Sequence, residues 1–245
     1  MKKMLTLFLG LIPINFIKIF FLNIIGHSIS YKSKIGVTFL HTNKIILKDY
    51  SKIGHFNFIN AKSIKLDESS FIGKFNIING PIDIVLNEKS GISKNNKIRR
   101  SKHPITYGDA FLKLGKNSFI VSNHFLDLTK SVEIGGNSIL AGINSQIWTH
   151  GYYHSDSDTE RIRIDGEVNI GDNVYVGSGC IFNPGVYVSN AIHIGSGSVI
   201  SKDLKEPGMY VSQSLRFIDN NLDKVKLKTK KVEGYDLAEN VYTKN

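Results

Sequence analysis

Ile164-Asp165-Gly166-Glu167-Val168-Asn169-Ile170-Gly171-Asp172-Asn173-Val174-Tyr175-Val176 opens a run in which a large apolar residue returns at every sixth position: Ile164, Ile170, Val176, Phe182, Val188, Ile194 and Ile200. With 41% of the sequence hydrophobic, seven such residues in one phase arise by chance about once in 500 tries, so the spacing carries structural information. Neither an α-helix nor an isolated strand repeats at six. A chain wound into a three-sided coil does: each hexapeptide makes one side and one corner, and residues eighteen apart stack.

The intervening residues support the coil. Four positions after each large residue comes a second, mostly small or β-branched one, Val168, Val174, Cys180, Val186, Ile192 and Ser198, to share the inward face. Corners fall at Asp172-Asn173, Ser178-Gly179, Pro184-Gly185, Asn190-Ala191 and Ser196-Gly197, where Gly and Asn tolerate positive φ and Pro suits a tight bend. Ala191 is the one residue ill suited to its corner. A single coil buries three large side chains at about 1.5–3 kcal/mol each but orders eighteen residues at about 1–2 kcal/mol each. Coils therefore persist only as a stack.

Upstream, Ile134 and Leu140 keep the same phase to Gln146, while Leu114, Ile120 and Leu126 keep another phase two residues away, which places a bulge at Leu126 to Leu128. Leu47, Ile53 and Ile59, then Leu66, Ile72 and Ile78, carry the pattern back, so coils begin near Ser30. The expected fold is an all-β solenoid. Residues 31–204 form the coils, with loops near 94–113 and 148–163; residues 1–30 form an apolar N-terminal segment and 205–245 a tail. A solenoid shares its core from coil to coil, which argues for one elongated domain. Cys180, at a small inward position, reads as packing, and one cysteine excludes an intrachain disulfide, in keeping with the cytoplasm.

Leu5 to Ile25 is apolar and follows Lys2-Lys3, yet no A-x-A cleavage site precedes the polar stretch at His27 to Lys34. Pro13, Asn15, Lys18 and Asn23 interrupt a segment barely long enough to cross a bilayer. It reads as helices capping the open end of the solenoid, with contact at the inner-membrane surface as the alternative. The net charge of +10 gathers at Lys94 to His103 and at Lys224 to Lys231. Solvated surface explains both; attraction for a polyphosphate or anionic headgroups is the sharper reading. No nucleic-acid motif or aromatic interleaving accompanies the charge, so nucleic acid is not an expected partner.

Chemistry belongs where the repeat breaks. Gln146-Ile147-Trp148-Thr149-His150-Gly151-Tyr152-Tyr153-His154 sets two imidazoles among aromatics and hydroxyls, and Asn123-His124-Phe125-Leu126-Asp127 adds a third imidazole and a carboxylate. Histidine is the side chain best matched to proton abstraction near neutral pH. No G-x-S-x-G nucleophile motif competes with it. Candidate catalytic residues are His150, His124 and Asp127, the last able to fix an imidazole tautomer; candidate acceptor contacts are His154, Trp148 and Tyr152.

Ile170-Gly171-Asp172-Asn173-Val174-Tyr175-Val176-Gly177-Ser178-Gly179, Asn183-Pro184-Gly185-Val186 and Ile194-Gly195-Ser196-Gly197-Ser198-Val199-Ile200-Ser201-Lys202-Asp203 resemble the final coils of hexapeptide-repeat acyltransferases, most specifically over residues 130 to 204. The resemblance implies a left-handed parallel β-helix, a homotrimer with active sites between subunits, and acetyl-CoA as donor. Thr149-His150 stands where the family carries the Thr-His pair that supplies its general base. The closest branch acetylates sugars of bacterial surface polysaccharides or their precursors. By the same resemblance, Gly177, Ser178, Gly195, Ser196 and Lys202 would contact CoA. No metal is expected. Two other readings use the same residues: a zinc enzyme like the γ-class carbonic anhydrases, with His124, His150 and His154 as ligands, and a solenoid that serves only as a scaffold.

Overall fold

The computed structural model describes residues 1–156 and 159–212, together with 227, 229–231, 233 and 242–244. Three parallel sheets of eight, nine and eight strands form the walls of a β-solenoid, and each strand bonds to its counterparts in the coils before and after it. The inward residues stack into one continuous core: Leu47, Ile53, Ile59, Leu66, Ile72 and Ile78 early, and Ile170, Val176, Phe182, Val188, Ile194 and Ile200 late, are all buried. Their smaller companions Val168, Val174, Cys180, Val186, Ile192 and Ser198 are buried beside them.

Coil length follows from the register. In the first sheet Ser28 stands beside Ile46, a step of eighteen; Lys44 beside Ser63 makes nineteen and Ser63 beside Asp83 twenty. Two coils are much longer: Asp83 pairs with Phe111, a step of twenty-eight, and Val132 with Val168, a step of thirty-six. Both surpluses leave from one corner, where the third sheet hands over to the first. The smaller bulge expected at Leu126 to Leu128 is there too, with both leucines buried.

Four expectations need correction. Ile164 is not a core residue: it is 45% exposed and lies in an antiparallel hairpin of His150–His154 with Arg161–Asp165. The inward residue of the coil before it is Ile147, not Gln146, because an extra residue enters at the corner of Asn144, where φ is 63°. The loop placed near 94–113 is shorter, since Gly91–Lys94 and Lys97–Arg99 are regular strands and the excursion begins at Arg100. The coils also continue past residue 204, as Gly208–Tyr210 extends the second sheet beside Ile192–Ile194. In the C-terminal unit, Thr229–Lys231 and Tyr242–Lys244 pair antiparallel; Lys224, Lys226, Lys228 and the excursion's Ser157 and Asp158 lie outside the described residues.

His124 belongs to the scaffold. At the corner between the second and third sheets, an inward polar residue in each coil bonds the backbone of the next. The Asn76 N–H donates to Asn57 Oδ1 (2.8 Å), the Asn96 N–H to Asn76 Oδ1 (3.0 Å) and the His124 N–H to Asn96 Oδ1 (2.9 Å). Nδ1 of His124 then accepts from the Ser145 N–H (3.1 Å), and Ser145 Oγ from the Cys180 N–H (3.2 Å). Burial pushes the His124 pKa down from 6.5 to about 4, so the imidazole is neutral as the ladder requires.

Two helices, α1 (Lys2–Gly10) and α2 (Asn15–Ile24), lie across the first coil. An uncovered coil would expose a row of unpaired peptide groups, and α2 satisfies several of them. The Asn15 amide donates to Ser33 O (3.0 Å) and its oxygen accepts from the Ile35 N–H (2.8 Å); Asn23 does the same at Ile29 (2.9 and 2.8 Å). Lys18 donates to the Ile35 and Gly36 carbonyls (2.9 and 2.6 Å), and burial lowers its pKa to about 8.

His27, bonded to Thr6 (2.8 Å), is also pushed down to about 4, by burial and then by Lys2 and Lys44. An unfolded chain binds these two protons first as pH falls, so stability is intact above about pH 6.5 and declines toward pH 4. His124→Asn, which continues the asparagine ladder, should cut the loss of urea stability between pH 7 and pH 5 by about 1–2 kcal/mol. Ala191 occupies its corner with φ 57°, and Ala191→Gly should raise unfolding stability by about 0.5–1 kcal/mol in the same assay.

Candidate active site

Four successive coils meet at the corner from which the long loops leave. Asn79 and Gly80, Arg99 to Lys102, Phe125 with Asp127, and Trp148 with His150 line a cleft of about 420 Å³. Strand pairing fixes their heights: Asn79 beside Arg99 and Arg99 beside Asp127 hold the cleft's floor in register.

At its centre an Nδ1–H of His150 donates to Asp127 Oδ2 at 2.8 Å. That carboxylate is nearly buried, its side chain 10% exposed against 28% for His150. Oδ2 also accepts from the Thr149 N–H (3.1 Å) and the Thr149 hydroxyl (2.7 Å), and Oδ1 from the Thr129 hydroxyl (3.0 Å). A carboxylate that accepts this many bonds is fixed in orientation. Thr149 is positioned in turn by the Lys130 N–H, which donates to its oxygen (3.0 Å). With Nδ1 committed to Asp127, the His150 Nε2 lone pair is left to face the cleft. Thr129, whose oxygen lies 3.1 Å from Nδ1, is a member of this group that sequence reading missed.

The hairpin extends the site outward. Ring centroids run from Trp148 to His150 (6.1 Å), His150 to Tyr152 (6.0 Å) and Tyr152 to His154 (6.4 Å), one residue in two along a strand. Phe125 packs on Trp148 at 4.9 Å, and the indole N–H donates to Gln146. The hairpin and the Arg100 loop brace each other where Arg163 donates to Ile105 O (2.6 Å), and Lys130 of the bulge sets its ammonium 3.8 Å from the loop's Tyr107 ring centre. Buried Arg100 clamps the first loop through Pro81, Tyr107 and Gly108 carbonyls (3.0, 3.0 and 2.8 Å).

The expected residues therefore divide. His150, Asp127, Trp148, Tyr152 and His154 form one group, whereas His124 lies at a different corner inside the ladder, which removes it as a base. For the same reason His124, His150 and His154 do not converge, and no cluster of three or more His, Cys, Asp or Glu suited to a metal occurs among the described residues. Gly177, Ser178, Gly195 and Ser196 lie at the corner between the second and third sheets, with the width of the third sheet between them and His150. Their close stacking has a structural basis: a Cβ on Gly177 would meet the Ser196 backbone at 2.7 Å. Lys202 is exposed beside a smaller hollow of about 200 Å³ near Tyr210.

The three-sided parallel solenoid thus holds a carboxylate-bound histidine at the corner where its loops leave. No protein-family model matches the chain. Over 99 residues it is 29% identical to the galactoside O-acetyltransferase of Escherichia coli (strain K12), a match covering 38% of this chain and 46% of that one. The chain spans about half the length of the curated relatives it matches. Two solved structures, each 17% identical, were also matched. They are the polySia specific acetyltransferase NeuO (TM-score 0.40; 80% of this chain, 87% of that one) and the polysialic acid O-acetyltransferase OatWY (TM-score 0.34; 82% and 92%). The resemblance to hexapeptide-repeat acyltransferases drawn from the final coils is thus met by relatives that are acetyltransferases.

The imidazole tautomer offers a direct check. Nitrogen-15 NMR of histidine-labelled protein should show His150 protonated on Nδ1, and Asp127→Asn should abolish that preference. The same substitution should cost about 1–3 kcal/mol in urea unfolding, because buried donors lose a charged acceptor.

Proposed function

We propose that the protein transfers an acetyl group from acetyl-CoA to a hydroxyl of a saccharide, a bacterial surface polysaccharide or its precursor. The observation that carries this reading is the 2.8 Å contact between His150 Nδ1 and Asp127 Oδ2, which leaves Nε2 free at the cleft. In the proposed reaction Nε2 takes the acceptor's hydroxyl proton as its oxygen attacks the thioester carbonyl carbon. The tetrahedral intermediate then collapses with cleavage of the carbon–sulfur bond, and the imidazolium returns the proton to the departing thiolate. Asp127 stabilises the transient imidazolium without taking its proton. Trp148 and Tyr152, flanking His150, supply flat apolar surfaces for the faces of a sugar ring, with His154 further along the strand.

For the donor, Gly177 to Ser178 and Gly195 to Ser196 mark one edge of the third sheet and His150 the other. A pantetheine arm laid across the outward face of that sheet, past Ile181 and the exposed Val199, would connect the two, with Lys202 near the phosphates. A homotrimer, implied by the family resemblance, would close the open side of the cleft with a second subunit. Acetyl-CoA as donor and the single unpaired cysteine both fit the cytoplasm.

The test is transfer from radiolabelled acetyl-CoA to a panel of nucleotide sugars and lipid-linked glycans. Wild-type protein should label at least one acceptor, and His150→Ala should lower kcat by about 10²–10⁴ with little change in KM for acetyl-CoA. Equal rates in both proteins would remove the base from the mechanism.

A further inference from the structure

The outward face of α1 and α2 is apolar and uncovered. On α2, Lys18, Ile19 and Leu22 face the first coil, while Phe16, Ile17, Phe20, Phe21 and Ile24 form the opposite face and are exposed, Phe16 by 67% and Ile24 by 63%. Met4, Leu5 and Phe8 of α1, the last 63% exposed, and Leu11, Pro13 and Ile14 of the connection continue the surface. An apolar helix face is normally buried against a core. The solenoid covers the other face of α2, with Asn15, Lys18 and Asn23 bonded to it, and leaves this one open.

Charge identifies the occupant. The first acidic residue of the chain is Asp49; before it stand lysines 2, 3, 18, 32, 34, 44 and 48. Lys2 and Lys44 both reach the Gly26 carbonyl just beyond α2 (3.3 and 2.8 Å), and their field helps to hold His27 neutral. Lys32, paired with Asp49, and Lys34 lie exposed by Tyr31, whose ring contacts Phe16 at 5.4 Å. Aromatic and aliphatic side chains with a rim in which lysines outnumber acids match the boundary between lipid headgroups and acyl chains. At ten residues, α2 is about 15 Å long, half of the roughly 30 Å hydrocarbon thickness. No helix among the described residues is long and apolar enough to span.

We propose that α1 and α2 dock the protein on the surface of an anionic membrane, lying in the interface without crossing it. The docking does not depend on the proposed acetyl transfer, but it bears on the acceptor. The His150 cleft shares Gly80, Arg100 and Lys102 with a larger hollow of about 600 Å³ that reaches Lys3 of α1, Lys62 and His103. Lys62 is paired there with Asp109 (2.9 Å), and a saccharide carried on a membrane anchor would have a polar path past Lys3, Arg100 and Lys102 from the lipid surface to the base.

The experiment is vesicle flotation of the full chain. Vesicles of phosphatidylcholine with about 30% phosphatidylglycerol should carry the protein, and pure phosphatidylcholine should carry roughly tenfold less. Phe8→Ser, Phe16→Ser, Phe20→Ser and Ile24→Ser combined should lower partitioning at least about tenfold while circular dichroism stays unchanged. Both proteins keep the tail lysines, so their difference reports the helices. Failure of the wild type to bind anionic vesicles, or equal binding by the variant, would overturn the proposal. So would sedimentation showing that the wild type uses this face to bind a second copy and ignores vesicles.

Discussion

Each coil must offer its peptide N–H and C=O groups to the coils on either side at fixed positions. Any residue beyond the eighteen of a minimal coil has to leave at a corner, because a surplus within a side would break two ladders at once. Nearly everything distinctive here follows from that constraint. The surplus leaves repeatedly at one corner, by a two-residue bulge, by a loop from Arg100 and by the His150–Asp165 hairpin. The side chains of the candidate site therefore gather at that corner, Asp127 on a third-sheet strand and His150, Tyr152 and His154 on the hairpin that leaves it. The pairing of Gln146–Ile147 with Phe125–Leu126 in the third sheet carries the chain to the base of the hairpin, where His150 comes one coil above Asp127.

Much of the fold was legible in the late coils because their period is strict and each inward position is apolar. Ile164 shows how such a reading fails. The coil that carries the hairpin is thirty-six residues long, a multiple of six, so the phase survives the excursion and an outward hairpin residue inherits the position of a core residue. Gln146 fails for the opposite reason: one extra corner residue shifts the phase unannounced. The phase of a repeat locates core positions only while the chain stays in the coil.

The candidate site was half legible. Thr149-His150 and Asp127 could be picked out by residue type near a break in the pattern. Thr129 could not, since it falls in the two-residue bulge where no phase applies. His124 was misassigned because residue type alone does not separate an imidazole in a cleft from one in a ladder. The missed clue was local: His124 follows Asn123 at a positive-φ corner as Asn96 follows Asn95, and an inward corner position in this chain carries Asn or its hydrogen-bonding substitutes. The capping role of Asn15, Lys18 and Asn23 was equally hidden. Residues that interrupt an apolar helix look like defects until the peptide edge they satisfy is known.

In the proposed reaction Asp127 orients His150 so that Nε2 faces the thioester of a bound acyl-CoA. A crystal structure of the protein in its solution assembly with CoA tests this most directly. The expected result is the CoA thiol at the third-sheet face, with space for an acceptor oxygen about 3–3.5 Å from His150 Nε2. A thiol seated at another corner, out of reach of that imidazole, would contradict it.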